Sequence, residues 1–174
     1  MPDRSSSAAS RSTCEVERSR FTDLTVDQLY GILQLRSDVF VVEQHCPYPE
    51  LDGRDAEPDT VHLWITEHDA TIAYARLLTE PDGTRRIGRV VTRTDRRGRG
   101  LAGRLLTAAL DLAGDAEVVL SAQAHLTDFY ARYGFEVAGD EYLEDGIPHR
   151  PMRRPRRTTP PTAATPPAAA TPTV

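Results

Sequence analysis

Apolar residues recur at helical spacing in two long stretches of the chain. The first stretch follows Thr25 and Gln28, which occupy the positions of a capping box, and it predicts a helix of about three turns or more that reaches Phe40. The second stretch follows a glycine-rich segment and ends near Gly114, and a short third helix is predicted over 126–134. The apolar positions that define the first two helices are Leu29, Ile32, Leu33, Phe40, Leu101, Leu105, Leu106, Ala109 and Leu112.

Shorter runs rich in β-branched and aromatic residues predict the strands of one sheet. The runs 61–68, 71–80 and 85–92 are separated by short turns and favour an antiparallel meander. The run 117–123 follows the second helix, and because strand–helix–strand is a crossover connection, it should lie parallel to 85–92. A first strand over 14–20 and further strands after the third helix complete an α/β fold of the α+β type. The predicted sheet is mixed and mostly antiparallel, has one parallel strand pair and is flanked by helices.

The two ends of the chain lack these patterns. Residues 1–13 are rich in Ser, and residues 153–174 are rich in Arg, Pro, Thr and Ala, so we expect both segments to be disordered. A single domain over 14–152 remains. Cys14 and Cys46 form no motif, and neither an export signal nor a membrane-spanning run is visible, which is typical of a reduced, cytoplasmic protein.

Charge narrows the classes of function. The chain has 21 basic and 26 acidic residues, and every basic residue is an arginine, which excludes a Walker A lysine and a Schiff-base lysine. The two terminal segments carry a net positive charge, so the remaining body of the chain is the more acidic part. An acidic body disfavours binding of nucleic acid and favours binding of an amine. The arginines of 153–174 leave a weak nucleic-acid tether open beside a solvated tail. No His, Cys, Asp or Glu spacing matches a zinc or calcium site, so no metal is expected.

The segment Gly98-Arg99-Gly100-Leu101-Ala102-Gly103 satisfies G-x-G-x-x-G, the pattern of dinucleotide-binding loops. Its context argues against NAD or FAD, because three strands precede the loop and no acidic residue ends the next strand. The physical chemistry of the loop remains: glycines that allow close approach, a helix N-terminus and neighbouring arginines together predict an anion cradle suited to a pyrophosphate. A solvated arginine turn is the alternative.

At these residues the chain resembles the GCN5-related N-acetyltransferase (GNAT) superfamily. Arg97-Gly98-Arg99-Gly100-Leu101-Ala102 matches the family pattern Q/R-x-x-G-x-G/A, and Phe129-Tyr130 followed by Gly134-Phe135 matches its second motif. Longer stretches, including LQLRSDVFVVEQHCPYPELDGRDAEPDTVHL and YLEDGIPH, resemble the ElaA-like subgroup from roughly residue 24 to 152. The resemblance implies two splayed parallel strands that hold the pantetheine arm of acetyl-CoA, and acetyl transfer to the amine of a small molecule or peptide.

The resemblance also implies roles for individual residues. A backbone N–H near Val91 would polarise the thioester carbonyl, and Tyr130 is the candidate general acid, with packing as its alternative role. His125 and Glu43 are candidate general bases, beside His62 and a water chain. The residues expected to bind coenzyme A are Val90, Val91, Thr92, Arg97, Gly98, Arg99, Gly100, Leu101, Ala102, Gly103, Gln123 and Phe129.

Residues 43–60 form a long, acidic loop with two interpretations: it attracts a cationic acceptor, or it is merely solvated. The alternative to an enzyme is a non-catalytic module that senses acyl-CoA or binds a protein. The sequence identifies neither the acceptor nor the oligomeric state, and a homodimer, common among small enzymes, stays open.

Overall fold

The computed structural model describes residues 15–157. The predicted disordered segment 1–13, the tail residues 158–174 and Cys14 lie outside the described residues. In the described part the strands are β1 (Glu17–Arg20), β2 (Val61–Glu67), β3 (Ala70–Thr79), β4 (Arg85–Thr92), β5 (Val118–Gln123), β6 (Glu136–Val137), β7 (Tyr142–Glu144) and β8 (Ile147–Arg154). The helices are α1 (Val26–Arg36), α2 (Leu101–Ala113) and α3 (Thr127–Ala131).

The strands form one mixed sheet in the order β1-β2-β3-β4-β5-β8-β6, and β7 pairs with β8. Strands β1 to β4 are an antiparallel meander, β4 and β5 are parallel, and β5 pairs antiparallel with β8. The predicted fold class is therefore confirmed. The crossover through α2 accounts for the parallel pair, because a helix returns the chain to the edge at which β4 began.

Helix α1 begins with the predicted capping box. The backbone N–H of Gln28 donates to the Thr25 hydroxyl at 3.2 Å, and the Thr25 N–H donates to the Gln28 side chain at 2.9 Å. The α-helix ends at Arg36 and continues as a π-helical segment, Ser37–Glu43. The helix predicted to reach Phe40 thus changes character at residue 37, and the wider turns bury Val39 while Glu43 reaches the loop before α2.

Apolar packing covers both faces of the central strands. Trp64 of β2 and Tyr74 of β3 are buried with Ile32 of α1 on one face. Leu63 and Leu77 lie in a second cluster on the α2 side. Burying each large aliphatic side chain contributes about 1.5–3 kcal/mol. Strands β3 and β4 are therefore packed on both faces, so the edge of β4 that faces β5 has a fixed position in the fold.

The last strand continues past the domain boundary predicted at residue 152. Arg153 and Arg154 pair with Val119 and Val118 of β5, and the backbone N–H of Arg157 donates to the carbonyl of Asp115 at 3.1 Å. The apolar alternation that marks a strand is hidden here, because prolines and arginines occupy most of β8. No helix within residues 15–157 combines the length and the apolar character needed to cross a membrane.

Candidate active site

A cleft of about 820 Å³ opens where β4 and β5 part. The two strands pair only at Arg85↔Val118 and Arg86↔Val119, and no further pairs follow along this parallel edge of the described sheet. Beyond that point β4 bulges: its register against β3 shifts between Tyr74 and Arg76, and Arg89 has φ of 53°. A β-bulge removes backbone groups from the ladder and redirects them. Arg89 and Val90 consequently have no partner in the register with β3.

The glycine-rich loop lies at the wide end of this opening. Gly98 and Gly100 have φ of 76° and 75°, in the left-handed region that L-residues with side chains avoid. A Cβ at either position would meet nothing within 4 Å, so conformation rather than crowding requires glycine there. The first helical hydrogen bond of α2 is Arg104 N–H to the Gly100 carbonyl, at 3.1 Å. The preceding amides are thus free to bind an anion at the positive end of the helix dipole.

The arginines of this loop are already paired with acidic side chains. Arg97 Nη1 lies 2.7 Å from Glu43 Oε1, and Arg97 Nε donates to the Thr92 carbonyl at 3.2 Å. Arg96 Nε lies 2.5 Å from Glu67, whose other carboxylate oxygen is 3.6 Å from Arg99 Nη1. Eleven of the twelve residues expected to bind coenzyme A line the cleft; Arg99 does not. Ion pairs therefore tie the loop to the rest of the fold, while its arginine side chains remain partly exposed to solvent.

The structure shows the packing considered for Tyr130, and its role as general acid stays a prediction. Its ring packs edge-on against Phe129, with centroids 5.1 Å apart, and against Phe135 at 6.1 Å. The residue is only 6% exposed, yet it lines the cleft. Burial raises the pKa of the Tyr130 hydroxyl to about 12, so the phenol stays protonated throughout the neutral range. It is a buried hydrogen-bond donor at the cleft.

The candidate bases differ in their surroundings. Hydrogen bonds from Arg97 and Thr94 lower the pKa of the Glu43 carboxyl, which makes it a weaker base. His125 lies in the turn Ala124–Leu126 and is exposed at the cleft. His62 is fully buried away from the cleft lining: its Nε2 lies 3.0 Å from the Asp55 carbonyl and its Nδ1 2.8 Å from the Tyr74 hydroxyl. Both ring nitrogens of His62 are therefore occupied, and it has no free lone pair for a substrate.

Three carboxylates of the acidic loop 43–60, Glu50, Asp52 and Asp55, are paired with arginine, whereas attraction of a cationic acceptor by the loop stays a prediction. Arg36 is 1% exposed; its Nε lies 2.5 Å from Glu50 and its Nη1 2.9 Å from Asp55. Arg76, equally buried, contacts Asp52 at 2.6 Å and Asp55 at 2.8 Å. Burial opposes ionisation of Asp52, but the hydrogen bonds and charge of Arg76 outweigh it and hold the pKa of Asp52 well below its usual range.

Sequence reasoning assigned no role to one wall of the cleft. Glu144 of β7 and His149 of β8 line it, as does Ser121 of β5. The Ser121 hydroxyl contacts the Tyr142 hydroxyl, and both lie 3.4 Å from Glu144 Oε2. Asp-Gly in the stretch EDGI was a readable signal for this hairpin, because both turn residues need positive φ and have it.

The family profile, the curated relatives and the solved structures that resemble the chain point to the same protein family. The family profile described as an acetyltransferase (GNAT) domain matches residues 21–155. A UPF0039 protein of Mycobacterium tuberculosis is 51% identical over 137 residues, which cover 76% of this chain and 88% of the relative. The crystal structure of Escherichia coli ElaA has 40% identity and a TM-score of 0.77, with coverage of 82% of this chain and 99% of ElaA.

An acyl-CoA N-acyltransferase from Pseudomonas aeruginosa is 47% identical, with a TM-score of 0.77 and coverage of 82% of this chain and 99% of that one. More distant structures share the fold alone. Among them is an aminoglycoside 6′-N-acetyltransferase solved with coenzyme A, at 11% identity and a TM-score of 0.65, with coverage of 83% of this chain and 99% of that one.

Proposed function

The chain belongs to the GNAT acetyltransferase family, and from that premise we propose that it transfers an acetyl group from acetyl-CoA to an amine, by direct transfer in a ternary complex. One observation carries the proposal: the opening between β4 and β5, the free amides at the start of α2 and the Tyr130 hydroxyl all belong to a single cleft. A donor with a pyrophosphate, an extended arm and a reactive thioester needs these three features in one place.

The donor would lie along β4. The pyrophosphate takes the amides of 100–103 and the guanidinium of Arg97, and the pantetheine arm pairs with the backbone of Val90, Val91 and Thr92 as a surrogate strand. The bulge at Arg89 supports the next step, because Arg89 and Val90 have no partner in the register with β3 and their backbone N–H groups would be available to the thioester carbonyl. A preorganised donor of this kind stabilises an oxyanion by about 3–4 kcal/mol.

The acyl transfer itself needs little further machinery. The amine nitrogen bonds to the thioester carbon and the oxyanion forms. The carbon–sulfur bond then breaks, the nitrogen loses one proton to solvent, and coenzyme A leaves as its thiolate. Tyr130 stabilises that sulfur by donating a hydrogen bond. Burial raises the pKa of the Tyr130 hydroxyl to about 12, compared with ~8.5 for an ordinary thiol. Tyr130 therefore keeps its proton and acts on the thiolate as a hydrogen-bond donor.

A cytoplasmic location is part of the same proposal. Cys46 is a buried, free thiol, and thiols persist in reducing compartments. The pairing of the loop carboxylates with arginine supports an uncharged or singly charged acceptor over a polycation, since three of the carboxylates that would attract a polycation, Glu50, Asp52 and Asp55, are already neutralised.

Steady-state kinetics test the proposal. The full-length protein is assayed with acetyl-CoA and a panel of tyramine, spermidine and a peptide with a free N-terminus, with thiol release and acetylated product both measured. Direct transfer predicts intersecting initial-rate lines for the two substrates, whereas a covalent acetyl-enzyme predicts parallel lines.

The tyrosine role is tested with Tyr130→Phe and with Tyr133→Phe as the matched control outside the cleft. We expect kcat to fall on the order of 10²-fold in the first variant and to stay unchanged in the second. Equal kcat values in wild type and Tyr130→Phe would remove Tyr130 from the mechanism. Thiol release without any acetylated amine would replace the transferase with a thioester hydrolase.

A further inference from the structure

The β7–β8 hairpin lines the cleft, and the proposed binding of acetyl-CoA assigns no role to its residues. His149 pairs in register with Gln123, the last residue of β5, so it stands at the edge that β4 leaves open. The thiol of Cys46 donates to the Asp145 carbonyl at 3.4 Å, and Gln123 donates to Gln44 at 3.4 Å. The hairpin and the 43–60 loop therefore meet across the cleft, and His149 belongs to the wall that joins them.

The His149 ring is held in one tautomer. Its Nδ1 lies 2.9 Å from the carbonyl oxygen of Ile147. Because a carbonyl only accepts hydrogen bonds, Nδ1 carries the hydrogen, and the neutral ring keeps its lone pair on Nε2. The side chain is only 13% exposed, whereas His125 is exposed. An imidazole with a fixed ring and a free Nε2 lone pair can accept a proton.

The Glu144 carboxylate lies close enough to the His149 ring to stabilise its protonated form. Glu144 Oε2 lies 3.9 Å from His149 Nδ1, and it faces the same edge of the ring as the Ile147 carbonyl. The ring of Tyr142 of β7 also lies near the imidazole, with the centroids 6.1 Å apart, and Asp145 of the turn lines the same cleft. From the 43–60 loop, Cys46 and Tyr48 line the same cleft.

We propose that His149 is the general base of the acyl transfer, an inference that rests on the proposed function. His149 Nε2 takes one proton from the acceptor ammonium, and the free amine nitrogen bonds to the thioester carbon. The carbon–sulfur bond breaks, the electron pair leaves with coenzyme A as the thiolate that Tyr130 stabilises, and the excess proton still carried by the new amide nitrogen passes to solvent. The imidazolium, paired with Glu144, then returns its proton to solvent. His149 thus takes the place of Glu43, which is bound to Arg97, and of exposed His125.

The inference is tested with His149→Gln in the full-length protein, with His68→Gln as the matched control in the exposed turn between β2 and β3. kcat/KM is measured against pH with acetyl-CoA and the best of the three amine probes. Calorimetry with acetyl-CoA alone verifies that each variant folds and binds the donor. Nitrogen-15 NMR of the imidazoles, assigned by substitution among the five histidines, gives the tautomer of His149 without any acceptor.

We expect the Nδ1–H tautomer, a fall in kcat/KM of about 10²–10⁴-fold in His149→Gln, and an acid limb displaced upwards to the ionisation of the amine itself. Donor affinity stays unchanged. In Glu144→Gln, loss of the carboxylate disfavours the imidazolium, so the acid limb moves to lower pH, an effect that a merely structural role would not produce.

An acid limb and a kcat/KM in His149→Gln that match the wild type would overturn the base role while the proposed function stands. The Nε2–H tautomer would overturn it as well, since the lone pair would then face the Ile147 carbonyl. Wild-type protein that binds acetyl-CoA but acetylates none of the three amines would overturn the proposed function itself, and the base role with it.

Discussion

Gly103, the third residue of α2, leaves room for the Tyr133 side chain. A Cβ at this position would lie 2.2 Å from the Tyr133 hydroxyl oxygen and 3.4 Å from the ring carbon that carries it. The first distance is far inside van der Waals contact, so either the ring or the helix must move. Overpacking of a well-packed core costs about 1–3 kcal/mol, and a shift of the partly buried Tyr133 ring would bring the cost towards the lower end of that range. We therefore expect Gly103→Ala to lower the free energy of unfolding, although alanine favours a helix by about 1 kcal/mol over glycine.

Removing the Tyr133 hydroxyl should reverse the sign of the change in unfolding free energy that Gly103→Ala causes. In a Tyr133→Phe background the nearest atom is the ring carbon at 3.4 Å, which is close to ordinary contact. Gly103→Ala should then be neutral or stabilise the protein by up to about 1 kcal/mol. Thermal unfolding of the four proteins completes a double-mutant cycle, in which each kcal/mol shifts Tm by roughly 3–5 °C for a domain of this size. An equal change in Tm in both backgrounds would refute the steric explanation.

Three further predictions concern charge. Arg36→Met removes one of the two arginine partners of each buried carboxylate, since Glu50 keeps Arg89 and Asp55 keeps Arg76. Urea unfolding should show a loss of up to about 3–5 kcal/mol; a loss like that of an exposed pair would contradict the buried network. Glu43→Gln frees Arg97 for a phosphate, so calorimetry should show tighter acetyl-CoA binding, whereas weaker binding would count against this competition. The pKa of Asp52 is lower in the folded state than in the unfolded state, so ionised Asp52 stabilises the fold above the unfolded pKa of ~3.9. That stabilisation is lost as the pH falls below ~3.9. In Arg76→Gln, unfolding curves should show a weaker dependence of stability on pH between about pH 4 and 2.

Local patterns predicted the elements because each is specified by neighbouring residues. The capping box of Thr25 and Gln28 was correct to the residue, since both of its hydrogen bonds span three positions. The glycine loop was readable for the same reason: positive φ at Gly98 and Gly100 is a local requirement. The cleft lining followed from the family resemblance, which placed the strand ends and Tyr130 together.

The buried ion pairs could not be predicted in the same way. Arg36 and Arg76 find their carboxylates 14 to 24 residues away in sequence, and no short-range pattern selects those partners. A weak signal existed, because Arg76 interrupts the apolar run TIAYARLLT, and a charge inside a buried strand needs a partner. His149 was missed because its chemistry depends on the Ile147 carbonyl and on the sheet register that brings β8 next to β5.

Calorimetric titration of the full-length protein with acetyl-CoA tests most directly whether the cleft is a donor site. The comparison protein is the Arg97→Ala, Gly100→Asp double variant, which removes the guanidinium and adds a carboxylate at the start of α2. We expect saturable binding on the order of micromolar in the wild type, by analogy with ordinary substrate constants, and its loss in the double variant. The absence of binding to the wild type, or equal binding to both proteins, would contradict a pyrophosphate cradle at the start of α2.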